Sequence, residues 1–527
     1  MNLRRTLLLF SFIFASSLAI AQPKDRWIIQ DDGAIRWNIN DNIPHDDHLE
    51  MSGQQLSVVL RYGVDAQKRF HLNRSLVFPM LRMHPNKTQN NLKQRFDVNI
   101  PALVTVDDQT LLNEEVRDVT FNGIMRVESS FGYIYRRKEL KDAVQLTRVL
   151  YPSTNAAHYC EEYTFKNSSP NQITLRVPEW NVTYTTPEEA GVYGAYCIEA
   201  GLSKSGVFVL KPGETLEFYA VFSGRKLVDA SSGRNDAGLS HINILSERAA
   251  REALISQWWS NLVLDTPDPV LNRMFAFAKL RGAESIYRTK GGLMHGPGGE
   301  AYYAAVWAND QAEYINPFFP FLGYEIGNES ALNSFRHFAR YMNPEYKPIP
   351  SSIISEGVSF WHGAKDRGDG AMIAYGAARY ALARGDKAEA RELWPLIEWC
   401  LEYCNRKLTP AGVVASNSDE LENRFPAGDA NLCTSTLYYD ALRSAVMLGR
   451  ELGVSAKQLN MYRNQANALE KAIEKHFGYE IEGFHSYRYY EGNDILRSWI
   501  CMPLVMGIYT RAQGTIDALF SPRLWTD

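Results

Sequence analysis

Cysteine is scarce: six in 527 residues. That density excludes a small fold stapled by disulfides. No CxxC pair occurs, so no metal site built on sulfur is expected. Cys160 and Cys197 share one β-rich stretch, where a pairing stays open. Cys400 and Cys404 stand four apart on a helical pattern, where a bridge would be strained, and read as buried thiols. Charge of one sign is lacking too. Lys and Arg total 56 against 60 Asp and Glu, a net of −4, so no basic field recruits nucleic acid or anionic lipid. Beyond the first residues no apolar run approaches the roughly 18 residues of a membrane span, so none is expected in the mature chain. Gly and Pro are too few for a fibrous or low-complexity chain. There is no Ser-His-Asp order and no P-loop. The glycine-rich run Gly291–Gly299 follows a helix rather than a strand, so it is no dinucleotide fingerprint. No cofactor is implied.

Aromatic residues are plentiful, with 11 Trp, 28 Tyr and 24 Phe. Most are expected in a large core, and some as stacking surfaces for sugar rings. The N-terminus carries Arg4 and Arg5, an apolar run from Leu7 to Phe14, and Ala19-Ile20-Ala21. That order reads as a cleaved secretory signal over 1–21, which predicts a secreted or periplasmic protein.

The remaining chain divides near residue 240. From Trp27 to about Gly224 short alternating segments are separated by Asn, Gly, Pro and Ser clusters, as in Gln145–Tyr151 and Gln172–Val177. This period of two predicts an all-β sandwich over 22–230. A Gly/Ser/Asn/Asp stretch, Ser231–Gly238, then introduces a linker and connecting helix over 231–265. From 266 to 527 the pattern is helical, with helices expected at about 269–288, 309–324, 329–342, 369–384, 387–407, 433–452, 456–477, 494–510 and 512–520. The connections between them alternate long and short. Helical hairpins arranged around an axis give that alternation when one rim carries working loops and the other tight turns. A solenoid would show a fixed sequence period, and none is found.

The long loops collect the chemistry. The first holds Trp307-Ala308-Asn309-Asp310; the second, Trp361-His362 and Asp366-Arg367-Gly368-Asp369-Gly370-Ala371; the third, Asp419-Glu420-Leu421-Glu422-Asn423-Arg424. Carboxylates, Arg, Asn and Trp are the residue types that hydrogen-bond hydroxyls and stack on pyranose faces. The short turns, such as Gly385-Asp386, carry no such residues.

These motifs, with the domain order and the loop alternation, make the half from about 240 onward resemble the six-hairpin glycosidases. Those are (α/α)6-toroid glycoside hydrolases, often preceded by a β-sandwich, of the α-L-rhamnosidase, trehalase and glucoamylase kind. The resemblance implies a carbohydrate substrate and hydrolysis by inversion without a cofactor. It implies sugar binding by Trp307, Asp310, Asp366 and Asp369; by residue type Trp361 and His362 read as a stacking wall and a hydroxyl donor, and Arg424 as a further binding residue. It also places the general acid in the loop 416–432, where Glu420 comes first, then Glu422, then Asp419. Two bland alternatives stand beside this. The acidic cluster could face a helix dipole as a first turn, and Asp369 could cap the helix that starts there. A full toroid has twelve helices against the nine or so expected here, so an incomplete ring is expected, lacking the late loop that usually supplies the base. An earlier base would then come from Glu480, Glu482 or Glu491. The competing functions are a polysaccharide lyase using His362 with Arg367, and a non-catalytic glycan-binding protein.

Overall fold

The computed structural model describes residues 25–227, 239, 242–303, 305–357, 360–361 and 363–525. The expected signal segment, the linker Ser231–Gly238 and His362 lie outside them. The chain is sheet-rich first and helical second. A nine-stranded antiparallel sheet runs in the order Trp27–Ile29, Ile35–Trp37, Leu112–Phe121, Met125–Tyr135, Lys138–Pro152, His158–Asn167, Thr215–Lys226, Tyr196–Leu202, Asn181–Thr185. A four-stranded meander, His45–Ser52, Ser57–Val64, Phe70–Arg82 and Asn91–Phe96, faces it. Alternation sends Leu60, Leu76 and Phe78 from the meander and Val127, Leu146 and Phe165 from the large sheet into one apolar core. One buried ion pair bridges the two layers, Arg74 Nη2 to Glu161 Oε2 at 2.9 Å. All six cysteines are free, so Cys160 and Cys197 do not pair.

The helical half begins with Ile244–Ser260, capped by the Asn243 side chain accepting from the Ser246 amide. Asp268 with Pro269, Asp386, Asn431 and Ser455 start later helices in the same way, and Gly385 and Gly453 end two of them in the left-handed conformation. Helices Asp369–Arg384, Lys387–Arg406, Leu432–Leu452 and Ala456–Phe477 fall within a residue of their expected spans.

Two expectations fail. The helix expected over 309–324 is a π-helix, Ala308–Ile315, continued by the α-helix Asn316–Leu322. Pro317 has no N–H to return to the Glu313 carbonyl. The Asn316 N–H reaches Gln311 instead, five residues back, and the turn widens. The helix expected over 494–510 is absent. A hairpin, Gly478–Ile481 with Phe484–Tyr487, precedes a 3-10 turn Ser498–Cys501 and one short turn Met502–Val505. Pro503 and Gly507, at φ +86°, stop anything longer.

The halves are joined by polar contacts. Fully buried Arg251 donates to the carbonyls of Ser52 at 3.0 Å and Gly123 at 2.9 Å, and pairs with Glu284. Glu300, at φ +65°, accepts from Arg61 at 2.7 Å and Arg95 at 3.0 Å across the same boundary. These bonds, Arg61 first, hold the Glu300 carboxyl down at about 2. Its folded pKa lies below its unfolded one, so the contribution is full above the ordinary carboxylate range and is lost as the pH falls from about 4.5 toward 2. Both arginines are half exposed, so the effect is discounted to about 1–2 kcal/mol. Glu300→Gln is therefore expected to lower the melting temperature near neutral pH and to change little below about pH 2; calorimetry at both values checks this.

Candidate active site

The alternation of connections is borne out. Tight turns join Leu322 to Glu325, Arg384 to Lys387 and Leu452 to Ala456, and the four segments 285–307, 340–368, 407–431 and 478–497 are long. The long segments are tied to one another. Ala305–Trp307 from the first pairs with Ser352–Ile354 from the second, which pairs with Phe360–Trp361. Ser352 thus lies between Trp307 and Trp361, whose ring centroids are 5.5 Å apart. Tyr302 closes on the other side of Trp307, edge-on at 5.4 Å, and accepts from Gln89 of the β-domain at 2.6 Å. Within the π-helix, the Gln311 side chain braces this wall. It accepts from the Trp307 amide and donates to the His295 carbonyl at 2.8 Å.

Trp307 is 7% exposed, and its indole N–H is buried without a partner. Removing the whole ring would cost about 3–5 kcal/mol, so Trp307→Ala would read as a stability change. Trp307→Phe keeps a six-membered ring but removes the pyrrole ring with its N–H, and is expected to cost a smaller part of that stability, about 1–3 kcal/mol. Thermal unfolding of both forms checks this.

Arg367 organises the second loop. It is wholly buried, 5.9 Å from both the Trp307 and Trp361 rings. It donates to Asp369 Oδ1 from Nη2 at 2.9 Å, to Asn309 Oδ1 at 3.2 Å and to Glu422 Oε1 at 3.1 Å. Asp369 is the first residue of its helix but not its cap, which is Gly368 with φ +86°. Its Oδ2 accepts from Ser351 Oγ at 2.7 Å and from the Arg367 amide at 3.2 Å. Asp366 is spent in the same way. Its Oδ1 takes the Gly368 amide, its Oδ2 the Tyr403 hydroxyl, and its carbonyl the amides of Asn417 at 2.8 Å and Ser418 at 3.1 Å. The buried carboxyls of Asp366 and Asp369 therefore sit behind the wall: Asp366 pins the third loop to the second, and Asp369 holds Arg367.

The acidic cluster is not a helix first turn. The helix that follows it starts at Leu432 on an Asn431 cap, ten residues beyond Glu422. Glu420 is half-buried, and both its oxygens accept from the Tyr314 hydroxyl at 2.8 Å. Burial pushes the Glu420 carboxyl up, the charges of Asp310 and Asp419 push it further, and the Tyr314 bond opposes them. Asp419 is buried. Its Oδ1 takes the Leu421 amide at 2.9 Å, while Oδ2 has no partner and lies 4.0 Å from Arg497. Glu422, at φ +58°, pairs with Arg367 and, at 3.4 Å, with exposed Arg424. Asp310 has its carboxyl raised by burial against the pull of Arg367. Trp307, Asp310, Trp361, Glu420 and Glu422 thus converge around Arg367. Glu480, Glu482 and Glu491 instead form ion pairs with His485, Arg523 and Arg488 in and near the fourth loop.

The reading by motif missed Glu313. It is 4% exposed, neither carboxyl oxygen has a partner, and burial followed by Glu420 pushes it well up. A carboxylate three residues after Asp310 in a segment expected to be helical was the available signal. Tyr314 was missed as well, and Arg367 was weighed only as a partner for His362. Among the described residues no cluster suited to a metal ion occurs, and no helix is long and apolar enough to cross a membrane.

No protein-family model matches the chain, and no curated protein matches it. Among solved structures it is similar to a protein from the human microbiome provisionally described as a kojibiose phosphorylase, at 8% identity and TM-score 0.49, over 85% of this chain and 71% of that one. It is also similar to a bacterial glucoamylase in complex with acarbose, at 9% identity and TM-score 0.45, over 86% and 73%. A cellobiose 2-epimerase from Spirochaeta thermophila is similar over 41% of this chain and 59% of its own, at 16% identity and TM-score 0.30.

Proposed function

We propose that this chain is a secreted glycoside hydrolase that acts by inversion on an uncharged oligosaccharide or polysaccharide, with Glu420 as the general acid. The observation that carries the reading is Glu420 itself: a carboxyl raised by burial and by two neighbouring carboxylates, at the convergence of three loops beside a tryptophan wall. In its protonated form Glu420 gives its proton to the glycosidic oxygen. The Tyr314 hydroxyl then steadies the carboxylate left behind, through a charge-assisted bond. Inversion needs a second carboxylate, and Glu422, paired with Arg367, takes that role in this reading. Trp361, half-buried, offers a ring face to the sugar, with Trp307 packed against it.

The cluster's charge selects the substrate class. Asp310, Glu313, Asp419, Glu420 and Glu422 converge here, and the cations near them are already engaged. Arg367 is spent on Asp369, Glu422 and Asn309, Arg424 on Glu422, and Arg497 on the Pro426 carbonyl. Among the described residues a uronate or an attacking phosphate would meet carboxylates without an uncommitted arginine, which disfavours both elimination at a uronide and phosphorolysis. Secretion rests on the N-terminal pattern of Arg4, Arg5, Leu7–Phe14 and Ala19-Ile20-Ala21.

A screen of neutral and uronic nitrophenyl glycosides and oligosaccharides, with and without inorganic phosphate, tests the reading. Release from neutral substrates that is indifferent to phosphate is expected. Release that requires phosphate, or an ultraviolet-absorbing unsaturated product, overturns it. Binding with no product would favour a glycan-binding protein.

A further inference from the structure

We infer that the β-domain is part of the sugar site: the outer face of its four-stranded meander sets Tyr302, and Gln89, acting through Tyr302, is a positioning residue for the Trp307–Trp361 wall. From the proposed function the inference takes only the role of Trp361 as a ring that faces sugar; the link itself needs no substrate. Alternation along the strands puts Leu60, Leu76 and Leu92 of the meander into the β-domain core and leaves Glu50, Arg61 and Arg95 on the opposite face. That face meets the first long loop. Val77 packs with Tyr287 and Tyr303, and the Tyr287 hydroxyl donates to Ser52 Oγ at 3.0 Å. Over 298–302 the loop is then gripped from the meander. Glu50 Oε2 accepts the Gly299 amide at 3.0 Å, and Arg61 and Arg95 hold the Glu300 carboxylate. Gln89, in the turn before the strand Asn91–Phe96, donates to the Tyr302 hydroxyl at 2.6 Å.

Glu300 and Tyr302 stand at φ +65° and +64°. A left-handed backbone is costly for residues with bulky side chains and persists only where the surroundings dictate it; here the meander does so. Tyr302 carries the grip to the wall. Its ring stands edge-on to Trp307 at 5.4 Å, and Trp307 packs against Trp361 at 5.5 Å. The main chain of Trp307 is fixed by its pairing with Ser352 and by Gln311. Its ring is held otherwise. The indole N–H has no partner among the described residues, so the orientation follows from the groups packed on it, which are Tyr302, Trp361 and Arg367. Gln89 itself is exposed, so truncating it costs the fold little while it releases the Tyr302 hydroxyl.

The test reads the wall optically, in the full, unliganded chain. Two indoles this close couple, and the sign and size of their paired circular-dichroism bands depend on their mutual orientation. The difference between wild type and Trp361→Phe isolates the couplet of Trp307 with Trp361. The same difference is taken on Gln89→Ala, on Tyr302→Phe and on the Q89A/Y302F double variant. Each single variant is expected to change the couplet, and the double variant to match either single one, because all three break the same bond. A couplet unchanged in Q89A and Y302F overturns the inference, and so do effects that add in the double variant. If Y302F does not fold, the link is judged on Q89A against Gln89→Glu, whose carboxylate accepts from the same hydroxyl. A couplet restored by Q89E supports the inference, and one that stays as in Q89A overturns it. On a neutral nitrophenyl glycoside that the enzyme cleaves, KM should rise about fivefold in Q89A, in Y302F and in the double variant alike, the net value of one hydrogen bond, with kcat little changed. A further rise in the double variant would make Gln89 a sugar contact in its own right and overturn the positioning role, as would a changed couplet with KM unmoved. Should no glycoside be cleaved, the glycosidase reading fails while the couplet still decides the link.

Discussion

Glu420→Gln is expected to lower turnover by at least ~10²-fold, the usual contribution of a positioned acid, with folding preserved. Preservation follows from where the group sits. Its hydrogen-bond partner among the described residues is the hydroxyl of exposed Tyr314, and an amide oxygen still accepts from that hydroxyl. The loss should be smaller on substrates with a good leaving group such as nitrophenol, which needs little protonation, and larger on an oligosaccharide. That difference separates an acid from a residue that only binds. Near-wild-type turnover on the oligosaccharide would remove Glu420 from the role, and Glu422 and Asp419 would be examined next.

Arg367→Met is expected to destabilise the protein by about 3–5 kcal/mol, the cost of breaking a buried ion pair by deleting one partner. The guanidinium is wholly buried and is the shared donor to Asp369, Glu422 and Asn309, which come from the third loop and the heads of two helices. Its removal leaves the buried Asp369 carboxylate with only the Ser351 hydroxyl and one backbone amide. Arg367→Lys keeps the charge but loses the fork that reaches three acceptors at once, so it should recover only part of the stability. Thermal and denaturant unfolding check both variants. A loss below about 1 kcal/mol would mean that the loops hold their places without this residue.

Hairpin alternation was legible in the sequence because caps and stops are local. Asp386, Asn431 and Ser455 start helices, Gly385 and Gly453 end them, and each acts through its own neighbours. What failed depended on particular bonds and missing donors rather than on apolar spacing. The π-turn over 308–315 follows from Pro317 together with Gln311 bracing Trp307, and an apolar periodicity of 3.6 does not register either. The expected helix over 494–510 was a run of apolar residues that a hairpin and two short turns bury by other means. Residue type pointed to Trp307, Asp310, Glu420 and Glu422, which the structure brings together near Arg367. It could not separate carboxylates facing the cluster from Asp366 and Asp369, whose oxygens are consumed within the protein. Glu313 was invisible because a buried acid in a helix reads like an exposed one until its partners are counted.

The most direct measurement is product analysis of one neutral oligosaccharide, cleaved by wild type and by E420Q side by side in heavy-oxygen water. The account predicts that wild type places the heavy oxygen at the new reducing end, that the first-formed anomer is the inverted one, and that E420Q yields little of it. A glycosyl phosphate, an unsaturated product, or equal label from both proteins would contradict it.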